Sequence, residues 1–269
     1  MPPKSSKNLL VDSHFHLFAA GEASPGARYV PAYDADFQTW RAAASAVGVG
    51  RGVLVQPSFL GTNNTRLCEE LRKHADTLCG IAVIDPAWSA EQLRHLQSCG
   101  VRGIRLNLSG ASHDLGAWNH ATSVWDEMFL LDWHVELHTD VGGLPHVLRQ
   151  LPRGIPLVVD HMSKPAAASA SDPTIGMLRA RARLNPVHVK LSGAYRLEGK
   201  DPRAVGRILH DELGPRSLLW GSDWPCTNYE ALAVYPSLLD AVYDWVGEEA
   251  ATLALTSNPA ALYWAGSGQ

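Results

Sequence analysis

The chain has 269 residues, 46% of them hydrophobic and 19% charged, with a formal net charge of −4. This composition provides for a sizeable buried core and excludes a disordered chain; the slight acidity excludes the basic field that drives nonspecific binding to nucleic acid or an anionic membrane. No apolar run approaches the roughly 18 residues of a membrane span, and the polar start MPPKSSKN lacks the apolar core of a secretory signal. Residues 1–8 read as a flexible tail and 9–269 as one domain of a cytoplasmic protein, with a homo-oligomer left open. The four cysteines, Cys68, Cys79, Cys99 and Cys226, contain no CxxC pair, so reduced, buried thiols are expected rather than a disulfide framework or zinc ribbon.

In chain order, strands are predicted over residues 9–13, 52–56, 80–84, 103–108, 134–138, 156–161, 188–192 and 217–222. Helical apolar spacing fills 36–46, 65–77, 91–98, 123–131, 144–151, 175–184 and 202–213. Residues 232–264 read as the last barrel helix plus one or two further turns. Eight strands alternating with helices over about 215 residues imply right-handed βαβ units closing into a (β/α)8 barrel. The stretch AAASASD at 166–172 reads as a surface loop. GVGRG at 48–52 precedes a strand instead of following one, which argues against a dinucleotide loop.

Chemistry in such a barrel sits where strands end, so the last residues of each strand are the ones to read. The first strand ends in Asp12-Ser13-His14-Phe15-His16, and period-2 geometry places Asp12, His14 and His16 on one side. The fourth strand carries Arg105 and Asn107 in alternation with Ile104 and Leu106. An inward arginine there either pairs with an internal acid or meets an anionic ligand. The fifth places His134, Glu136 and His138 on one face, the sixth ends in Asp160 and His161, and the seventh leads to Tyr195 and Arg196. The eighth delivers Asp223 after Gly221-Ser222. Histidines scattered through a core would not all fall at strand ends of one polarity.

The segments VDSHFH (11–16), RYVP (28–31), VQPSFLGTNN (55–64), GVRGIRLN (100–107), VVDHMSKP (158–165), VKLSGAYRL (189–197) and LLWGSDWP (218–225) together resemble the amidohydrolase superfamily. The likeness is to its family-2 branch, which includes 2-pyrone-4,6-dicarboxylate lactonase and sugar-lactone lactonases. It implies a (β/α)8-barrel hydrolase that opens a cyclic ester. It further implies that His14, His16, Tyr29, Ser58, Arg105, His161, Arg196 and Asp223 are catalytic or ligand-contacting. Two positions depart from the dicarboxylate lactonase pattern: Ala111 stands where a second arginine is expected, and His138 where a tyrosine ends strand five.

That lactonase works without a divalent cation, whereas related metal-dependent members, a zinc decarboxylase among them, hold one ion through residues matching His14, His16, His138 and Asp223. Three imidazoles and a carboxylate suit one Zn²⁺, and no lysine ends strand four or five to bridge a second ion. A metal-free site in which the same imidazoles polarise the carbonyl is the alternative. In either version Asp223 is expected to act as general base and His161 to bind the carbonyl or shuttle protons. Arg105 and Arg196 would hold a substrate carboxylate, with Tyr29, Ser58 and Thr62 lining the pocket. The expected partner is a small lactone or carboxylic acid; decarboxylation of an unsaturated acid and plain binding of a small acid are the competing activities.

Overall fold

A computed structural model of the chain describes residues 9–265. The tail expected at 1–8 lies outside the described residues. Eight strands run parallel in the order of the sequence: β1 (Leu10–Phe15), β2 (Val49–Val55), β3 (Leu78–Ala82), β4 (Val101–Asn107), β5 (His134–His138), β6 (Leu157–Val159), β7 (Val187–Leu191) and β8 (Leu218–Trp220). The first and last meet where Phe15 pairs with Trp224, and the Asp223 amide donates to the His14 carbonyl at 2.8 Å. The sheet thereby closes into the expected barrel.

Helices α1 (Phe37–Ala46), α2 (Thr65–Lys73), α3 (Ala90–Cys99), α4 (Thr122–Leu130), α5 (Leu144–Leu148), α6 (Pro173–Ala182), α7 (Pro202–Leu213) and α8 (Tyr235–Val246) form the outer layer. Their starts are written locally. Asp36, Asp172 and Asp201 cap α1, α6 and α7 through their carboxylates, and Ser89 with Gln92 makes a reciprocal capping box on α3. Outward residues of the strands, such as Val135 and Leu137 on β5 and Val189 and Leu191 on β7, are buried in one continuous apolar layer with these helices. All four cysteines are buried and free, and among the described residues no helix is long and apolar enough to cross a membrane.

The C-terminal segment is more elaborate than expected: α8 is followed by α9 (Glu248–Leu255) and α10 (Ser257–Tyr263). Tyr263 packs with Val53, Val55, Cys79, Ile81, Val158 and Leu219, and its ring meets His134 at the start of β5. The N-terminal end of the barrel is thus plugged by an apolar floor.

β1 also departs from simple alternation. Asp12 pairs with Gly52 while Phe15 pairs with Leu54, three steps against two, which is the signature of a bulge. The expectation that Asp12 shares a face with His14 and His16 is therefore corrected. Its carboxylate turns toward the helices, accepting from Trp40 Nε1 at 3.1 Å, Tyr235 Oη at 2.8 Å and Ser222 Oγ at 2.7 Å. Asp12 staples β1 to the end of β8 and takes no part in the site.

Candidate active site

At the C-terminal ends of the strands lies a cavity of about 570 Å³, lined among others by His16, Tyr29, Ser58, Arg105, His138, His161, Arg196 and Asp223. His14 sits beneath it on β1. His14 Nε2 and His16 Nε2 are 3.2 Å apart, and each lies 3.6 Å from Asp223 Oδ1. His161 Nε2 lies 3.9 Å from the same oxygen. His138 packs edge-on against the His161 ring, with centroids 4.6 Å apart. Residues 14 to 223 converge here although four separate strands deliver them.

Backbone conformation aims these groups. His161 and Asp223 both hold positive φ, 51° and 58°, immediately after β6 and β8. Gly193, in the left-handed region, leaves room for the His161 ring, since a Cβ there would come within 2.6 Å of Nδ1. Ser192 Oγ lies 3.1 Å from that nitrogen. His16 Nδ1 meets the Val55 carbonyl at 2.7 Å, which requires a proton on Nδ1 and leaves the Nε2 lone pair facing the site.

Charge is paired at two depths. Burial would raise the Asp223 pKa, yet Arg196 holds it well below the usual carboxylate range. Arg196 Nε and Nη2 both reach Asp223 Oδ2 at 2.9 Å, and Tyr195 Oη donates to that oxygen at 2.8 Å, so Oδ1 alone faces the imidazoles. Burial pushes His16, His138 and His161 below the ordinary histidine value, which keeps them neutral near pH 7. Below them, Arg105 Nε and Nη2 reach Asp160 Oδ2 at 3.0 and 2.9 Å. Lys190 Nζ donates to Glu136 and lies 3.6 Å from Asp160 Oδ1. His14 Nδ1 lies within 3.4 Å of Lys190, Asp160 and Glu136 alike. Burial and Lys190 lower the His14 pKa, and the two carboxylates more than reverse them.

The sequence-derived residues thus separate into groups. His14, His16, His161 and Asp223 meet; Tyr29, Ser58 and His138 line the same cavity. Thr62 does not: it lies in a separate depression beside α2 and α3, and its carbonyl accepts from Asn64. Its expected place in the pocket is corrected, because the loop turns away from the mouth after Gly61. Arg105 and Arg196 line the cavity but are already paired with carboxylates of the protein. The set of Lys190, Glu136 and Asp160 was not anticipated as part of the site. Its signal was a lysine inside the apolar run VHVKL, which burial permits only with acids on the neighbouring inward rows.

The residues fit a divalent cation. Two ligand bonds of about 2.0–2.2 Å at a tetrahedral angle hold their donor atoms roughly 3.3–3.6 Å apart, close to the spacings among His14, His16 and Asp223. Those three form one possible donor group, and His14, Asp160 and His161 another. His138 falls in neither group; its ring leans on His161, and both its nitrogens are buried without a hydrogen-bond partner.

Fold and site together define a (β/α)8-barrel protein with a histidine- and carboxylate-lined mouth of the kind that supports hydrolytic chemistry. The chain belongs to the amidohydrolase family, whose sequence model, described as Amidohydrolase, matches residues 11–264. It is 27% identical over 281 residues to 4-sulfomuconolactone hydrolase of Hydrogenophaga intermedia, covering 98% of this chain and 89% of that one. It is also 27% identical to 2-pyrone-4,6-dicarboxylate hydrolase of Comamonas testosteroni, covering 94% and 90%. The crystal structure of a probable 2-pyrone-4,6-dicarboxylic acid hydrolase from Acinetobacter baumannii, with citric acid bound, superposes with a TM-score of 0.84. The two share 29% identity, over 95% of this chain and 99% of that one.

Proposed function

We propose that this protein hydrolyses a lactone, by water attack on the ring carbonyl at the barrel mouth, with Asp223 as general base. The observation that carries this is the convergence of His14, His16 and His161 on a single free carboxylate oxygen, Asp223 Oδ1, at the base of an open cavity. Lactone hydrolysis is also what the named relatives have in common.

The chemistry follows from the pairing. Asp223 stays ionised because Arg196 and Tyr195 occupy Oδ2, so Oδ1 is available to take a proton from water. A carboxylate with so low a proton affinity does not retain that proton and passes it to the leaving alkoxide. Neutral His161, fixed by Ser192, presents Nε2 toward the reacting carbonyl. A divalent cation, zinc by the donor set, would be held by His14, His16 and Asp223 and would act as a Lewis acid on the carbonyl.

The test is a lactone panel assayed for acid production and for carbon dioxide, with elemental analysis before and after chelation. Ring opening without carbon dioxide is expected, with about one zinc per chain lost on chelation. Carbon dioxide release would replace the lactonase reading with decarboxylation. Full turnover by zinc-free protein would remove the metal and leave the Asp223 chemistry in place.

A further inference from the structure

We infer that Arg28, on the loop before α1, reads an anionic group, a carboxylate or sulfonate, on the substrate at the outer rim of the cavity. The inference rests on the lactone-hydrolase reading and names the charge its substrate carries.

It begins with charge accounting. The buried layer beneath the mouth contains two cations, Arg105 and Lys190, against two carboxylates, Glu136 and Asp160. At the mouth Arg196 faces Asp223. Both arginines that the sequence offers for substrate binding are therefore neutralised by the protein itself, and exchanging such a partner for a substrate would strand a buried carboxylate. One cation lining the cavity is left over. Arg28 is exposed and makes no ion pair among the described residues.

Its position is built. Arg28 Nη1 donates to the Ser109 carbonyl at 2.7 Å. Gly110 (φ 66°) makes the seat, since a Cβ there would come within 2.6 Å of that nitrogen. The seat is itself pinned. Ser109 Oγ donates to Asp140 Oδ1 at 3.0 Å and accepts from Lys164 Nζ at 3.2 Å, and the Gly110 amide donates to Asp140 Oδ1 at 2.8 Å. One hydrogen bond to a carbonyl occupies a single donor of five, so the guanidinium keeps in-plane donors along its edge for a two-oxygen ligand. The residues that line the cavity from the end of β4 and the loop after it, Asn107 and Ser109, are uncharged.

The experiment compares Arg28→Met and Arg28→Lys with the unaltered chain on three lactones of one ring: a carboxylate, a sulfonate and the neutral methyl ester. Citrate affinity, measured by calorimetry, is a parallel readout independent of turnover. Arg28→Met is expected to raise KM at least 10-fold for the anionic lactones, with kcat and the neutral ester changed less than 2-fold, and to weaken citrate at least 10-fold. Arg28→Lys should restore much of both, and the preferred anion tells carboxylate from sulfonate. If no lactone turns over but citrate binding still depends on Arg28, the lactone reading fails and the anion site stands. Equal losses on anionic and neutral lactones, or citrate that is unbound or bound equally well by Arg28→Met, overturn the inference.

Discussion

The inside of this barrel is two different solids stacked end to end. At the floor, Val53, Val55, Ile81, Leu219 and Tyr263 fill the inward positions with apolar volume. One layer up, the same alternation on other strands turns Arg105, Glu136, Asp160 and Lys190 inward, all buried, together with His14. The floor stabilises by excluding water, at about 25 cal/mol per Å² of apolar surface removed. The charged layer gives little net stability, since desolvation offsets most of the attraction between its members. Its effect is orientation: it packs against Nδ1 of His14 while Nε2 faces His16 and Asp223.

Removing one charged member gives the largest expected effect on stability. Lys190→Met leaves Glu136 and Asp160 short of a cation in the interior and should cost about 3–5 kcal/mol, with activity lost as His14 loses its setting. Urea denaturation of the variant measures this, and a loss below about 1 kcal/mol would mean the layer is not a coupled unit. Ile81→Val on the floor should cost only about 0.5–1.5 kcal/mol and leave kcat unchanged. A change in kcat would show that floor packing reaches the site.

Acid should reveal a smaller, graded difference. Burial pushes His134 down to about 3 and His188 to about 4. Below pH 6.5 the unfolded chain takes up protons at both while the folded chain does not, so stability falls from about pH 6.5 toward pH 4. His14, with its pKa raised, adds stability that is full below pH 6.5 and is lost only as pH rises through its higher folded pKa, outside that window. His188→Leu should flatten the slope of the urea midpoint between pH 6.5 and 4.5; an unchanged slope would place the linkage elsewhere.

The eightfold rhythm and the strand-end polar residues were legible because each follows from a local period: apolar spacing marks the elements, and strand polarity marks the mouth. The buried charge layer was not, because Lys190 meets Glu136 across 54 residues and only strand register decides which inward rows share a level. Asp12 was misplaced because a bulge in β1 has no sequence mark as clear as alternation. Arg105, Arg196, Asp160 and Asp223 were all visible at strand ends, whereas which acid pairs with which arginine was not, and that pairing moves anion recognition outward to Arg28. The three-helix C-terminal segment looked like one helix with added turns because the breaks at Gly247 and Thr256 interrupt a nearly continuous helical pattern.

The most direct measurement is steady-state kinetics of Asp223→Asn on the best lactone of the panel, with circular dichroism to confirm the fold. The amide keeps the shape and removes both the proton acceptor and the charge facing Arg196, so kcat should fall about 10²-fold or more in a folded protein. Near-normal kcat in that folded variant would contradict Asp223 as the base and move the proton transfer to His161.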